Sequence, residues 1–128
     1  MERRNISTGS PWERIAGYSR AVRMGPFVCV SGTTAFDQDG NLVGEGDPYA
    51  QTVHILNTIE AALNEAGAAI TDVVRTRVYV ANFDDWREVS RAHAERFADI
   101  RPANTLIQAG ALVEGRLVEI EADAIVNE

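Results

Sequence analysis

Two segments of this 128-residue chain alternate between apolar and charged positions, and that pattern demands strands with two unlike faces. In residues 73–80, Val74, Thr76, Val78 and Val80 alternate with Arg75, Arg77 and Tyr79. In residues 117–126, Val118, Ile120, Ala122 and Ala124 alternate with Glu119, Glu121 and Asp123. Successive side chains on a strand point to opposite sides, so each segment offers one face to a core and keeps its charges on the other. The charged face is too polar for a core, yet it is spaced with tyrosine and apolar residues. That combination fits burial against another subunit, where opposite charges pair.

The remaining elements supply the cover for the apolar face. Phe27-Val28-Cys29-Val30, bounded by Gly25-Pro26 and Ser31-Gly32, reads as a buried strand, and residues 21–24 pair with it through the Gly25-Pro26 turn. Asp47-Pro48 resembles a helix N-cap followed by proline in the first turn. Val53, Leu56, Ile59 and Leu63 then recur at helical spacing up to Gly67. A second helix follows Asp84-Asp85, with Trp86, Val89, His93 and Phe97 on one face and Pro102 closing it. Further strands are expected at about 104–109 and 117–126. The order of elements predicts an α+β sandwich, one mixed sheet covered on one face by two helices.

Composition narrows the function. A chain of 128 residues is expected to bury one core, giving a single domain over residues 1–128. Its apolar runs all fall short of the roughly 20 residues a spanning helix needs, so no membrane segment is expected. Residues 1–5 lack the apolar core of a secretory signal, and Cys29 has no second cysteine to pair with; the expected location is cytoplasmic. Cys29 itself reads as a small core residue. A formal net charge of -7 repels phosphate backbones, which disfavours nucleic acid as a partner. His54 and His93 belong to no metal-ligand pattern, and Gly44-Glu45-Gly46 has the wrong context for a phosphate loop, so no metal and no cofactor are expected.

Four motifs carry a more specific signal: Gly17-Tyr18-Ser19-Arg20-Ala21-Val22, Val30-Ser31-Gly32-Thr33, Arg101-Pro102-Ala103-Asn104-Thr105 and Leu117-Val118-Glu119-Ile120-Glu121-Ala122. Together, and in this order, they resemble the reactive-intermediate deaminase (Rid, or YjgF-like) family. The resemblance implies a chorismate-mutase-like fold, a homotrimer whose sheets meet inside, and small-molecule clefts between subunits. It also implies that Tyr18 and Ser31-Gly32 line the cleft and that Glu119 lies near its water. The family position held here by Asn104 is typically an arginine that clamps the carboxylate of an imino acid.

The chemistry of these residues can be weighed. Hydrolysis of an enamine or imine needs a proton delivered toward the iminium and a water directed at its carbon; a desolvated carboxylate such as Glu119 can serve both steps. Alternatively, Glu119 pairs with Arg75 or Arg77 across the sheet. Replacing a bidentate guanidinium with the neutral amide of Asn104 weakens carboxylate binding about tenfold to a few hundredfold, so a simple 2-imino acid is expected to be a poor substrate. Arg77 is the candidate replacement, against a structural ion pair. His93 stands where the family often has tyrosine and can act as acid or base, or can be a hydrogen-bonded, partly buried histidine. Ser90 replaces a frequent asparagine.

The expected function is a small-molecule hydrolase acting on enamines, imines or related reactive metabolites, outside the arginine-bearing deaminase group. The alternative is a trimer that binds a metabolite for regulation without turnover. Ribonuclease activity, described for some family members, ranks third because of the acidic charge.

Overall fold

A computed structural model describes residues 1–127. Its strands are β1 (Arg3–Ile6), β2 (Ala21–Met24), β3 (Phe27–Thr33), β4 (Val73–Val80), β5 (Ala103–Gln108) and β6 (Val118–Ile125). The helices are α1 (Pro11–Ala16), α2 (Pro48–Glu65) and α3 (Trp86–Phe97). All six strands form one sheet in the order β1-β2-β3-β6-β4-β5, antiparallel except for the parallel β4–β5 pair. The parallel pair follows from the crossover through α3, which returns the chain to the end of the sheet where β4 began.

Helix α2 starts where its sequence requires. The Asp47 carboxylate accepts from the Ala50 amide at 3.0 Å, and Pro48 occupies the first turn, where its missing N–H costs nothing. Gly67, at φ +81°, reverses the chain after the helix, and the Ala68 amide donates back to Leu63 O at 2.8 Å. Ile55, Leu56, Ile59 and Leu63 of α2 are buried with Val89 of α3 against Val28, Val30, Val78, Val80, Val118 and Ile120 of the sheet. Gln51, wholly buried, ties the loop before β6 to α2. Its Nε2 donates to Gly44 O and Gly115 O, and its Oε1 accepts from the Leu117 amide at 2.9 Å. No helix among the described residues is long and apolar enough to cross a membrane.

The other face of the sheet carries the alternating charges. Arg77 Nη1 lies 3.0 Å from Asp123 Oδ2 and 3.3 Å from Glu121 Oε1, and the Tyr79 hydroxyl donates to the same Glu121 oxygen. The pairing register explains this grouping, since Arg77 stands opposite Glu121, and Arg75 opposite Asp123.

Three details depart from the sequence reading. Cys29 is exposed on the charged face beside Asp123, not in the core. The run from Phe27 to Val30 is continuously apolar because its outward residues are apolar too; only Val28 and Val30 are buried, while Phe27 is 52% exposed. Partial desolvation by its neighbours and the Asp123 carboxylate push the Cys29 thiol above its ordinary pKa, which disfavours the thiolate. At the start of β4 an irregularity between Val73 and Arg75 buries Val73 and turns Val74 outward, opposite to the expected parity. Finally, β1 and α1 were not expected from the sequence, because neither carries a periodic apolar stripe.

Candidate active site

The site begins with an irregularity in β3. Val30 pairs with Ala122, but Thr33 pairs with Ile120, so three steps on β3 match two on β6. The extra residue bends the strand and brings Gly32 against Glu119. A β-carbon on Gly32 would overlap the Glu119 carboxylate, so glycine is required for this approach.

A cavity of about 200 Å³ opens above this contact, lined by Glu119, Gly32, Tyr18, Arg20, Arg116 and Trp12 among others. Burial raises the Glu119 pKa; the Arg20 charge partly offsets this, and Glu121 adds to it. Among the described residues its carboxylate makes no hydrogen bond. Glu119 can therefore hold and release a proton closer to neutrality than an ordinary glutamate.

Arg20 fixes the floor of the cavity. It is 2% exposed, and its Nη1 donates to Gly32 O at 2.7 Å and to Thr33 Oγ1 at 3.0 Å. Its guanidinium carbon lies 5.6 Å from the Tyr18 ring centroid and 5.8 Å from that of Phe36. Behind it, Glu13 Oε2 approaches Nε at 3.7 Å. The Glu13 carboxylate accepts hydrogen bonds from Ser7 Oγ, Thr8 Oγ1 and the Thr8 amide. Burial acts to raise the Glu13 pKa, but these bonds and Arg20 outweigh it and hold the carboxyl below its ordinary value. Tyr18 is delivered to the rim by Gly17, whose φ of +77° ends α1.

Other expected site residues lie elsewhere within one chain. Ser31 Oγ donates to Ser19 O at 2.6 Å and borders a separate surface depression with Tyr18. The Asn104 amide donates to Thr76 Oγ1 at 2.9 Å, and the same oxygen is 2.9 Å from His93 Nε2. The parallel register sets Asn104 opposite Thr76, so its amide joins the α3 side of the sheet. Burial lowers the His93 pKa and favours the neutral ring, as expected of a hydrogen-bonded, partly buried histidine. Arg77 is engaged with Glu121 and Asp123 on the outward face.

The family model described as Endoribonuclease L-PSP matches residues 9–126, spanning the cavity residues and every strand after β1. The chain belongs to this family, which is that of the YjgF and Rid proteins. Its fold is that of the family member from Mycobacterium tuberculosis whose crystal structure is 49% identical, with a TM-score of 0.90 over 98% of this chain and 100% of that one. The YjgF gene product of Escherichia coli superposes with a TM-score of 0.85 at 25% identity, over 97% of this chain and 99% of that one. By sequence, an uncharacterized protein of Streptomyces coelicolor is 45% identical, over 94% of this chain and 90% of that protein. A RutC family protein of Pyrococcus abyssi is 32% identical, over 97% and 98%.

Within this family frame, sequence reading assigned no role to Arg20, Glu13 or Arg116. Arg20 sits inside the Gly17–Val22 motif, but an arginine beside a serine at a strand start reads as solvent-exposed. The only signal in the sequence was an acidic residue seven positions upstream, at Glu13.

Proposed function

We propose that this YjgF/Rid family protein hydrolyses small enamines or imines, with Glu119 as the proton carrier. The observation that carries this reading is the half-buried Glu119 carboxylate, unbonded among the described residues and pressed over Gly32 at the base of a small cavity. Protonated Glu119 delivers its proton to the enamine carbon or imine nitrogen, giving an iminium. The resulting carboxylate takes a proton from water as the oxygen attacks the iminium carbon. The carbinolamine then collapses, releasing ammonia and leaving a carbonyl. Arg20, which is bound to Gly32 O, holds the floor rigid throughout.

The reading includes a homotrimer. Asn104, His93 and Arg77 are separated from the Glu119 cavity within one chain, as an intersubunit cleft would produce, and the charged sheet face offers a surface for closure. A net charge of -7 favours a small metabolite over RNA as ligand.

The test is ammonia release from imines generated in situ by an amino-acid oxidase, comparing the native protein with Glu119→Gln. Release that is accelerated by the native protein and abolished in the variant supports the reading. A ligand-dependent thermal shift without ammonia release would make the protein a metabolite-binding trimer instead.

A further inference from the structure

Only two buried side-chain nitrogens among the described residues lack a hydrogen-bond partner, Nε of Arg20 and Nε of Arg116, and both residues line the Glu119 cavity. The two are not equivalent. Arg20 has Glu13 at 3.7 Å to balance its charge, and its Nη1 is committed to Gly32 and Thr33. Arg116 has no carboxylate within ion-pair distance among the described residues. Its single side-chain bond runs from Nη1 to Glu114 O at 3.0 Å.

That bond leaves Nη2 without a protein acceptor, and because Nε is closed off, Nη2 is the free donor that an anion in the cavity can reach through a charge-assisted hydrogen bond. Arg116 is also held in place at the backbone. Its amide donates to Val113 O at 2.9 Å, and Gln51 grips the residues on either side of it, Gly115 and Leu117. A partly desolvated guanidinium with no carboxylate partner among the described residues is an unfavourable arrangement until an anion pairs with it.

We infer that Arg116 is the anion-binding residue of this site, receiving a substrate carboxylate that position 104 does not. This inference rests on reading the cavity as the substrate site. It assigns the ligand to small carboxylates bearing an imine, enamine or carbonyl carbon, sized for about 200 Å³. The expectation that 2-imino acids are poor substrates considered residue 104 alone; Arg116 restores the missing charge from the loop between β5 and β6.

Binding of the stable product-like acid 2-oxobutanoate, followed by calorimetry, tests this without any turnover. The native protein is expected to bind it at least tenfold more tightly than the uncharged 2-butanone. Arg116→Gln should weaken 2-oxobutanoate about tenfold to a hundredfold and leave 2-butanone unchanged. Arg116→Lys keeps the charge but moves the donor and should weaken binding several-fold, which provides the readout if the glutamine variant does not fold. Equal affinity of native and Arg116 variants for 2-oxobutanoate overturns the assignment, as does equal native affinity for the two ligands. Binding through Arg116 with no ammonia release from any imine would sink the proposed hydrolysis and leave this assignment standing. Imine turnover whose KM is unmoved by Arg116→Gln would do the reverse.

Discussion

The Glu119 carboxylate rests against the Gly32 backbone so closely that a methyl group there would occupy the same space. The obstruction falls on the far end of a flexible side chain, so Gly32→Ala is expected to fold and to displace the carboxylate. Turnover should drop by about 100-fold or more, as expected when a general acid–base group is misplaced, while the melting temperature moves little. Ammonia-release kinetics beside a thermal melt check both halves. An active Gly32→Ala protein would show that the contact has no catalytic weight.

Glu119→Gln is expected to lower turnover by roughly 100-fold or more and to stabilise the protein at neutral pH. The folded-state pKa of Glu119 is raised, so its contribution to stability is fully present below the ordinary glutamate value and is lost as pH rises through the folded value. The glutamine variant never makes that transition. Its melting temperature should exceed the native one at pH 7 and match it near pH 4. Glu121→Gln should cost far less activity, because Glu121 is held by Arg77 and Tyr79.

Arg77→Glu would set three carboxylates together at positions 77, 121 and 123 on the outward face. The native chain is expected to scatter light as a particle of about 42 kDa, three copies of 14.0 kDa, and the variant as a smaller species. A native monomer at micromolar concentration would dismiss the trimer.

Thr76→Val removes the one oxygen shared by Asn104 and His93. The buried site loses both bonds, at a cost of about 1–3 kcal/mol measurable by urea denaturation. Because burial lowers the His93 pKa, an unfolded chain takes up this proton first. Native stability should therefore fall as pH drops below about 6.5, and His93→Gln should flatten that limb.

How far the sequence reached depended on whether a residue's neighbours in space were also its neighbours in pattern. The strict alternation around Glu119 and Arg77 made β4, β6 and the charged face legible, and Asp47-Pro48 marked the start of α2 to the residue. By contrast, β1 has only Ile6 buried, and α1 leaves Trp12 and Ile15 exposed, so neither left a periodic trace. Glu119, Tyr18 and Gly32 could be grouped through the family motifs. Asn104 could not be placed, because its partner Thr76 is reached through a parallel pairing set by α3, and no local pattern encodes that register. Arg20 and Arg116 stayed hidden because Arg20 is buried by contacts with Gly32 and Thr33 on a neighbouring strand, and the loop carrying Arg116 is fixed by Gln51 through the backbone of Gly115 and Leu117.

The hydroxyls of Ser7 and Thr8 hold Glu13, Glu13 balances Arg20, and Arg20 grips the carbonyl of Gly32 beneath the cavity. The amino-terminal arm of residues 1–8 is thereby a tensioning strap for a site it does not line. A protease nick after Thr8, or a bulky reporter that pulls the arm aside, would register in catalytic rate before it registered in unfolding. Natural drift in these first residues would, by the same linkage, retune the proposed activity without altering a single group that lines the cavity.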